Sequence, residues 1–566
     1  MSTSPLPSSP ASSSPASSSP VSSSPVSSSP VSSSLLPSSL LPSSAVSSSA
    51  ASPYGNYAYA VLTANALRTP DKVALTYCGK RSFTYDELNR LVNRRANALA
   101  AAGVRPGQRV AALLNETLKV AEVYLAQAKL GAVTAALNPY WPVETLRAVV
   151  EHSGADTFLY DATVEEVAGQ IRPGLPGVTT WIDVADLSES ESSDAEPPVG
   201  GAGDDPLALY YTSGTTGLPK AVIHTHASSL ATAQIWLDVP RSPDSVFGTG
   251  AIIWGIGFPA IVGPALYAGM RLVLEQDWGP ANFLRVVPRE RVSHVSQIPS
   301  FYAALLGSDD HASADLSPLR VIMLGGEPLT GSLLGRIKER LPDAGVYSYY
   351  GQTEAPYTCV GRVDDGSTPL GSSGRARTGC AVRITDPSGN RVVGQVGEIN
   401  LAGPHRMAGY DRLPDKTAEV LRGDWYVGGD LGTLSEDGVL NVLGRREDSI
   451  LKGGQWTQPS VIEEAATAVE DVAEAGAVGV PAHVEGEDAV EQRVILAVVS
   501  RSGHSVDPAK LALALAESLP ERQRPDHIVV TEELPHFQDA SGGPGKLLRR
   551  EIRDRYAPLL PPPPSP

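Results

Sequence analysis

Leu207-Ala-Leu-Tyr-Tyr-Thr-Ser-Gly-Thr-Thr-Gly-Leu-Pro-Lys220 decides how this chain is read. Its first five residues are an apolar run of strand length, so they predict a buried strand. Gly214 and Gly217 then let the backbone approach a ligand closely. The hydroxyls of Thr212, Ser213, Thr215 and Thr216 supply donors, and Lys220 supplies a cation. That set suits a polyphosphate. It is not a Walker loop, because Leu218-Pro219 separates Gly217 from Lys220. A plain Ser/Thr/Gly surface turn is the competing reading. The buried strand before the loop and the Pro-Lys after it weigh against that. A helix-like run is expected beyond Lys220.

Outward from this loop the pattern alternates. Apolar spacing of three and four predicts a helix over 84–102 with a stop at Gly103. Strands are expected over 109–114 and 156–160, with a helix between them over 117–130. This alternation is the signature of an α/β fold. Residues 186–205 are acidic and rich in Ser and Gly, and read as a loop. After Gly444 the texture changes to a helix over 461–469, a strand over 494–499, and helices over 508–519 and 546–556. A small α+β domain is expected there. The uncharged stretch 245–270 is long enough to cross a bilayer. Its many Gly and Pro residues suit a pocket wall better.

Both ends differ from the body. Residues 1–52 repeat Ser, Pro and a small apolar residue and carry no charged side chain. Such a stretch buries too little apolar area to offset its ordering entropy, so a disordered tail is expected. No basic n-region with an apolar core marks a secretory signal. Residues 558–566 read as a second tail. The expected organisation is therefore 1–52 tail, 53–446 large domain, 447–557 small domain and 558–566 tail.

The chain has 566 residues, 42% of them hydrophobic, which allows a large core. Forty-five basic against 62 acidic residues give a net charge of −17. This argues against broad binding to nucleic acid or anionic membrane, and no membrane span is expected. Cys78, Cys359 and Cys380 are too scattered for a disulfide framework or a zinc site, so a cytoplasmic location is expected. His224 and His226 have the spacing of a metal pair, but structural hydrogen bonding is the expected role.

Further motifs follow in order: Gly325-Gly326-Glu327-Pro328, Tyr350-Gly-Gln-Thr353-Glu354, Tyr426-Val-Gly-Gly-Asp430, Gly444-Arg445, Lys452-Gly-Gly454 and Gly545-Lys546. Together with 212–220 they resemble the adenylate-forming superfamily of acyl-CoA synthetases, peptide-synthetase adenylation domains and luciferases. The resemblance covers about residues 54–556. It implies a large α/β domain with layered subdomains and a small mobile α+β domain. It implies that 212–220 cradles the ATP phosphates and that Gly325, Gly326 and Glu327 pack against adenine. It also implies that Tyr350 stacks on adenine, Thr353 contacts phosphate and Glu354 holds Mg2+. Asp430 would bind the ribose hydroxyls, and Arg445 would also bind the nucleotide, within a hinge segment formed by Gly444-Arg445 and Glu447-Asp448. Glu447 would be the hinge, and Lys546 the catalytic lysine. Lys452-Gly-Gly454, Pro459, Ile462 and Glu463 would approach the thiol.

The implied reaction is attack of a carboxylate on the α-phosphorus of ATP, giving an acyl-adenylate and pyrophosphate. The acyl group then passes to coenzyme A or a carrier-protein thiol. Trp254 and Gly257 stand where the acid pocket begins. Trp254 walls that pocket or simply packs in the core. No Asp occurs over 245–270 to pair an α-ammonium, which disfavours an amino acid substrate. Gly428 replaces a commoner Thr, Glu447 a commoner Asp, and Gln455-Trp456 is an unusual sequel to Gly454. The leading expectation is a ligase for an aryl or short apolar acid, in natural-product and antibiotic biosynthesis. One alternative is a diazotase of the same fold, activating nitrite against an aromatic amine. Another is a non-catalytic nucleotide-binding relative.

Overall fold

The computed structural model describes residues 55–187, 192–212, 219–250, 256–452, 455–481, 492–536 and 547–560. The fold is mixed α/β, with a large N-terminal domain and a smaller C-terminal one. The large domain is built on three sheets. One has seven strands, with Pro206–Thr212 between Lys220–Thr225 and Val133–Ala136. Another has nine strands. Its centre is a parallel run in which Gly345–Gln352, Val321–Leu324, His294–Gln297, Val246–Thr249 and Arg271–Leu274 lie side by side. The third is antiparallel and centres on Gly397–Ala402 and Trp425–Leu434. The small domain holds the three-stranded sheet Val472–Pro481, Gln492–Ser500 and His527–Thr531, with its own apolar core around Ile462, Leu496 and Leu515.

The expected elements form close to where periodicity puts them. Tyr85–Ala101 is a helix whose Thr84 cap accepts from Glu87 N, while the Glu87 carboxylate accepts from Thr84 N. This capping box satisfies two of the open donors at the helix start. Thr117–Leu130 is a helix in which every residue but Lys119 is buried. Its one acidic residue, Glu122, is fully buried and pairs with Arg95 at 3.0 Å, so the charge is not left alone. The C-terminal helix begins at Arg549 rather than 546.

One local expectation is corrected. The run after the phosphate-type loop is a strand, Lys220–Thr225, not a helix. It pairs antiparallel with Pro206–Thr212, and Thr212 lies opposite Lys220. Val222, Ile223 and Thr225 are β-branched, and Ala221 and Val222 are buried, so pairing against a core strand outweighs helix periodicity. The helix starts only at His226, capped by Thr225.

Residues 245–270 split into the strand Val246–Thr249, the turn of π-helix Phe258–Val262 and the short helix Gly263–Tyr267. Gly263 packs against Tyr57, whose hydroxyl would lie 1.7 Å from a Cβ there. No helix among the described residues is long and apolar enough to cross a membrane.

Candidate active site

The site draws residues from all three sheets of the large domain, through Lys220 and Tyr410, Tyr350 and Gln352, and Asp430 and Arg445. Gly409–Tyr410 pairs with Lys220–Thr225, which brings Tyr410 beside Lys220. The Lys220 ammonium lies 4.8 Å from the centre of the Tyr410 ring. The Tyr410 hydroxyl donates to Glu354 Oε1 at 2.7 Å. Glu354 is buried, and its own carbonyl accepts from Met407 N at 2.8 Å. Burial beside this carboxylate pushes the Tyr410 phenol far above its ordinary value, so it stays a donor.

Thr353 is fixed from the other side. Its carbonyl lies 2.7 Å from His224 Nε2, and His224 Nδ1 lies 3.0 Å from the Ser228 hydroxyl. A carbonyl can only accept, so Nε2 carries the proton and Nδ1 accepts from Ser228. Burial lowers the His224 pKa to about 4 and the His226 pKa to about 4. His226 Nδ1 accepts from Tyr57 N at 3.0 Å. Both imidazoles are thus built into the backbone as hydrogen-bonding groups.

A second cluster surrounds Asp430. Val427 pairs with Asn400 and Leu431 with Glu398, so Gly428, Gly429 and Asp430 stand opposite a single residue. This bulge, with Gly429 at φ +77, re-aims the Asp430 carboxylate. Across the next strand pair Asp430 lies opposite Arg445. Arg445 Nε is 3.0 Å from Oδ1, and another of its nitrogens donates to Gly428 O at 2.8 Å. Oδ2 accepts from the Tyr350 hydroxyl at 2.6 Å and from Gln352 Nε2 at 2.6 Å. Tyr426 donates to Gln352 Oε1 at 2.6 Å. Oδ1 is buried and, beyond the ion pair, accepts no aligned hydrogen bond among the described residues.

The expected residues are therefore partly brought together. Lys220, Thr353 and Glu354 join one cluster, and Tyr350, Asp430 and Arg445 the other. The single strand Gly345–Gln352 and its following turn link the two. Gly325 and Gly326 follow the adjacent strand, and Gly325 is so close to the Tyr349 ring that a Cβ would come within 2.4 Å of it. The Glu327 carboxylate is turned away to structural use, accepting from Ser300 N at 3.0 Å and the Ser300 hydroxyl at 3.1 Å. Gly257 stands at the start of the turn Phe258–Val262, and the described contacts do not link it to either cluster. Ser213, Gly214, Thr215, Thr216, Gly217, Trp254 and Lys546 lie outside the described residues. Glu447 is exposed between Leu440–Arg445 and Ile450–Lys452.

Sequence reasoning missed Tyr410, Gln352 and the role of Tyr426. Tyr410 sits in a two-residue strand with no motif around it. Gln352 and Tyr426 were inside recognised motifs, but only the fold shows that their side chains meet.

The model of the AMP-binding enzyme family matches residues 62–411, and that of the AMP-binding enzyme C-terminal domain matches 461–542. A feruloyl-CoA synthase from an Amycolatopsis species is 32% identical over 497 residues, covering 87% of this chain and 97% of the relative. The fatty acid–[acyl-carrier-protein] ligase ScoC of Streptomyces coeruleorubidus is 31% identical over 504 residues, covering 85% and 92%. Among solved structures, ATP-bound MatB from Rhodopseudomonas palustris superposes with a TM-score of 0.81 at 26% identity, covering 89% of this chain and 99% of that one. Two matched domains in sequence order, relatives spanning nearly their whole length and a shared fold converge. The chain belongs to the AMP-binding enzyme family and is an AMP-forming ligase of the acyl-CoA synthetase type.

Proposed function

We propose that this protein activates a small aryl or short apolar carboxylic acid as its acyl-adenylate and transfers the acyl group to a thiol. The observation that carries this reading is the Asp430 cluster. Its Oδ1 is a buried acceptor still lacking an aligned donor, which is what a ribose hydroxyl would provide. Tyr350, Gln352 and Arg445 hold the carboxylate in place. Lys220 and the loop 212–217 would take the phosphates, and Gly325 and Gly326 would line the base.

The donor set fits Mg2+ held jointly with substrate. Glu354 Oε1 is engaged by Tyr410, and no hydrogen bond to Oε2 is formed among the described residues. No group of three metal-binding side chains occurs among those residues. One carboxylate with phosphate oxygens and water is the usual magnesium arrangement. The ion would neutralise phosphate charge during the displacement. Lys546 would act on the charge that develops between acid and α-phosphate, and Thr353 would orient a phosphate oxygen.

The division into 53–446 and 447–557, with Glu447 as the turning point, is part of this proposal. So are a cytoplasmic location and a place in natural-product metabolism. For the acid, the feruloyl-CoA synthase favours an aryl substrate, and for the acceptor, ScoC keeps a carrier-protein thiol beside coenzyme A. Trp254 and Gly257 would shape the acid pocket. No observation favours the nitrite alternative. The test is ATP–pyrophosphate exchange across a panel of acids. Exchange stimulated by aryl acids supports the proposal, and exchange unmoved by any acid contradicts it.

A further inference from the structure

The nine-stranded sheet has a second concave face at the opposite end of its strands. Val246, Arg271, His294, Val321 and Gly345 are the first residues of its five central parallel strands, and all five border one groove of about 740 Å³. The residues of the candidate active site, Gly325 and Gln352, lie at the far ends of two of these strands. At a rise of about 3.3 Å per residue, Val321 and Gly325 lie about 13 Å apart along one strand, and Gly345 and Gln352 about 23 Å apart along the other. The groove is therefore separate from that site, and its volume falls within the range of about 300–1,000 Å³ typical of small-molecule pockets.

The lining is unusually basic for a chain of net charge −17. Six arginines line it against three carboxylates. Arg271 and Arg289 are already paired with Glu290, at 2.9 and 3.0 Å, and Arg362 with Asp364 at 2.9 Å. Arg241, Arg291 and Arg320 have no carboxylate within ion-pair distance among the described residues. Two of them are held by backbone: Arg241 donates to Trp236 O, and Arg320 donates to Leu319 O at 2.9 Å. Anchoring through one nitrogen leaves the rest of each guanidinium fork for another acceptor. Arg291 sits at φ +52, at the end of the helix Pro280–Glu290.

We propose that this groove binds a small di- or triphosphate anion. Planar guanidiniums match phosphate oxygens in paired hydrogen bonds, and three of the six lining arginines, Arg241, Arg291 and Arg320, are left without a carboxylate partner among the described residues, whereas Arg271, Arg289 and Arg362 are neutralised by Glu275, Glu290 and Asp364. Asp244 and Asp343, also in the lining, disfavour a broad anionic surface and favour a compact ligand seated among the arginines.

The test is calorimetric titration of the full chain with tripolyphosphate, using wild type, R241Q/R320Q, Arg291→Asn and Lys220→Ala. Gln preserves a donor for the two backbone carbonyls, and Asn tolerates positive φ at 291. The proposal expects a binding event that survives in Lys220→Ala and weakens about tenfold in R241Q/R320Q and several-fold in Arg291→Asn. Acid-dependent pyrophosphate exchange by R241Q/R320Q without tripolyphosphate should match wild type, which also verifies folding. No binding by wild type, or binding removed only by Lys220→Ala, overturns the proposal. Sedimentation with phosphatidylcholine vesicles, with and without phosphatidic acid, separates a free anion from a lipid headgroup. Arginine-dependent retention on phosphatidic acid, without binding of free tripolyphosphate, would also overturn it.

Discussion

Gln352 occupies the space that a side chain at position 428 would fill. A Cβ on Gly428 would lie 2.4 Å from Gln352 Oε1 and 2.7 Å from the Tyr426 hydroxyl. The absence of that one carbon lets the Gln352 amide reach Asp430 at 2.6 Å while accepting from Tyr426 at 2.6 Å. The glycine that departs from the family pattern and the glutamine inside the Tyr350–Glu354 motif are therefore one device. It sets the orientation of a buried carboxylate.

Gly428→Ala should displace Gln352 and release one of the two hydrogen bonds on Asp430 Oδ2. The loss of a bond to a charged group is worth about 1.5–3 kcal/mol, so KM for ATP should rise about tenfold or more with kcat nearly kept. Gln352→Ala should do the same. Because both act on one contact, the double variant should be no worse than Gln352→Ala alone. Additive losses in steady-state kinetics would show that the two residues act separately.

Tyr410→Phe removes the donor on Glu354 Oε1 but keeps the ring beneath Lys220. The carboxylate should then lose its fixed direction. The Mg2+ concentration for half-maximal pyrophosphate exchange should rise by roughly 10- to 100-fold, the effect of losing one orienting contact. Tyr410→Ala should add a further loss in phosphate affinity. An unchanged magnesium dependence in Tyr410→Phe would separate Glu354 from the ion.

Acid should weaken the fold through His224 and His226. Each has a pKa of about 4 when folded, lowered by burial, against about 6.5 in an unfolded chain. The unfolded chain thus binds more protons between these values. Stability from the neutral imidazoles is complete above pH about 6.5 and is lost as pH falls toward about 4. The loss is at most about 3 kcal/mol per histidine. Urea midpoints measured across that window should fall, and less steeply in His224→Gln. A flat profile would place the proton elsewhere.

Lys546→Ala and Glu447→Pro separate the two proposed half-reactions. The lysine variant should lose adenylate formation through kcat while ATP affinity stays within a few-fold. The proline variant fixes φ in the proposed hinge, so it should keep pyrophosphate release and stop thioester formation. Thioester made at the wild-type rate by Glu447→Pro would move the hinge.

Much of the fold was legible because periodicity is local. Apolar spacing over 84–102 announces its helix, and the apolar runs over 109–114 and 156–160 announce strands. The strand Lys220–Thr225 was not legible, since its pairing with Pro206–Thr212 is what makes it a strand. The candidate site was legible where one residue carries its own motif, as with Asp430 and Glu354, both buried in polar clusters. It was hidden where those clusters depend on side chains meeting from distant segments. Tyr410 and Glu354 lie 56 residues apart, and Gln352 and Tyr426 lie 74 apart. Glu327 shows the converse, a motif residue whose carboxylate is committed to Ser300.

The central claim is that an acid is adenylated and passed to a thiol. It is tested most directly by incubating the protein with ATP, Mg2+, coenzyme A and a panel of aryl and short apolar acids, and following AMP and thioester together by mass spectrometry. The account predicts at least one acid for which AMP and acyl-CoA appear in equal amounts, with AMP formation lost in Lys546→Ala. ATP cleavage that no acid stimulates, and that nitrite with an aromatic amine alone unlocks, would contradict it.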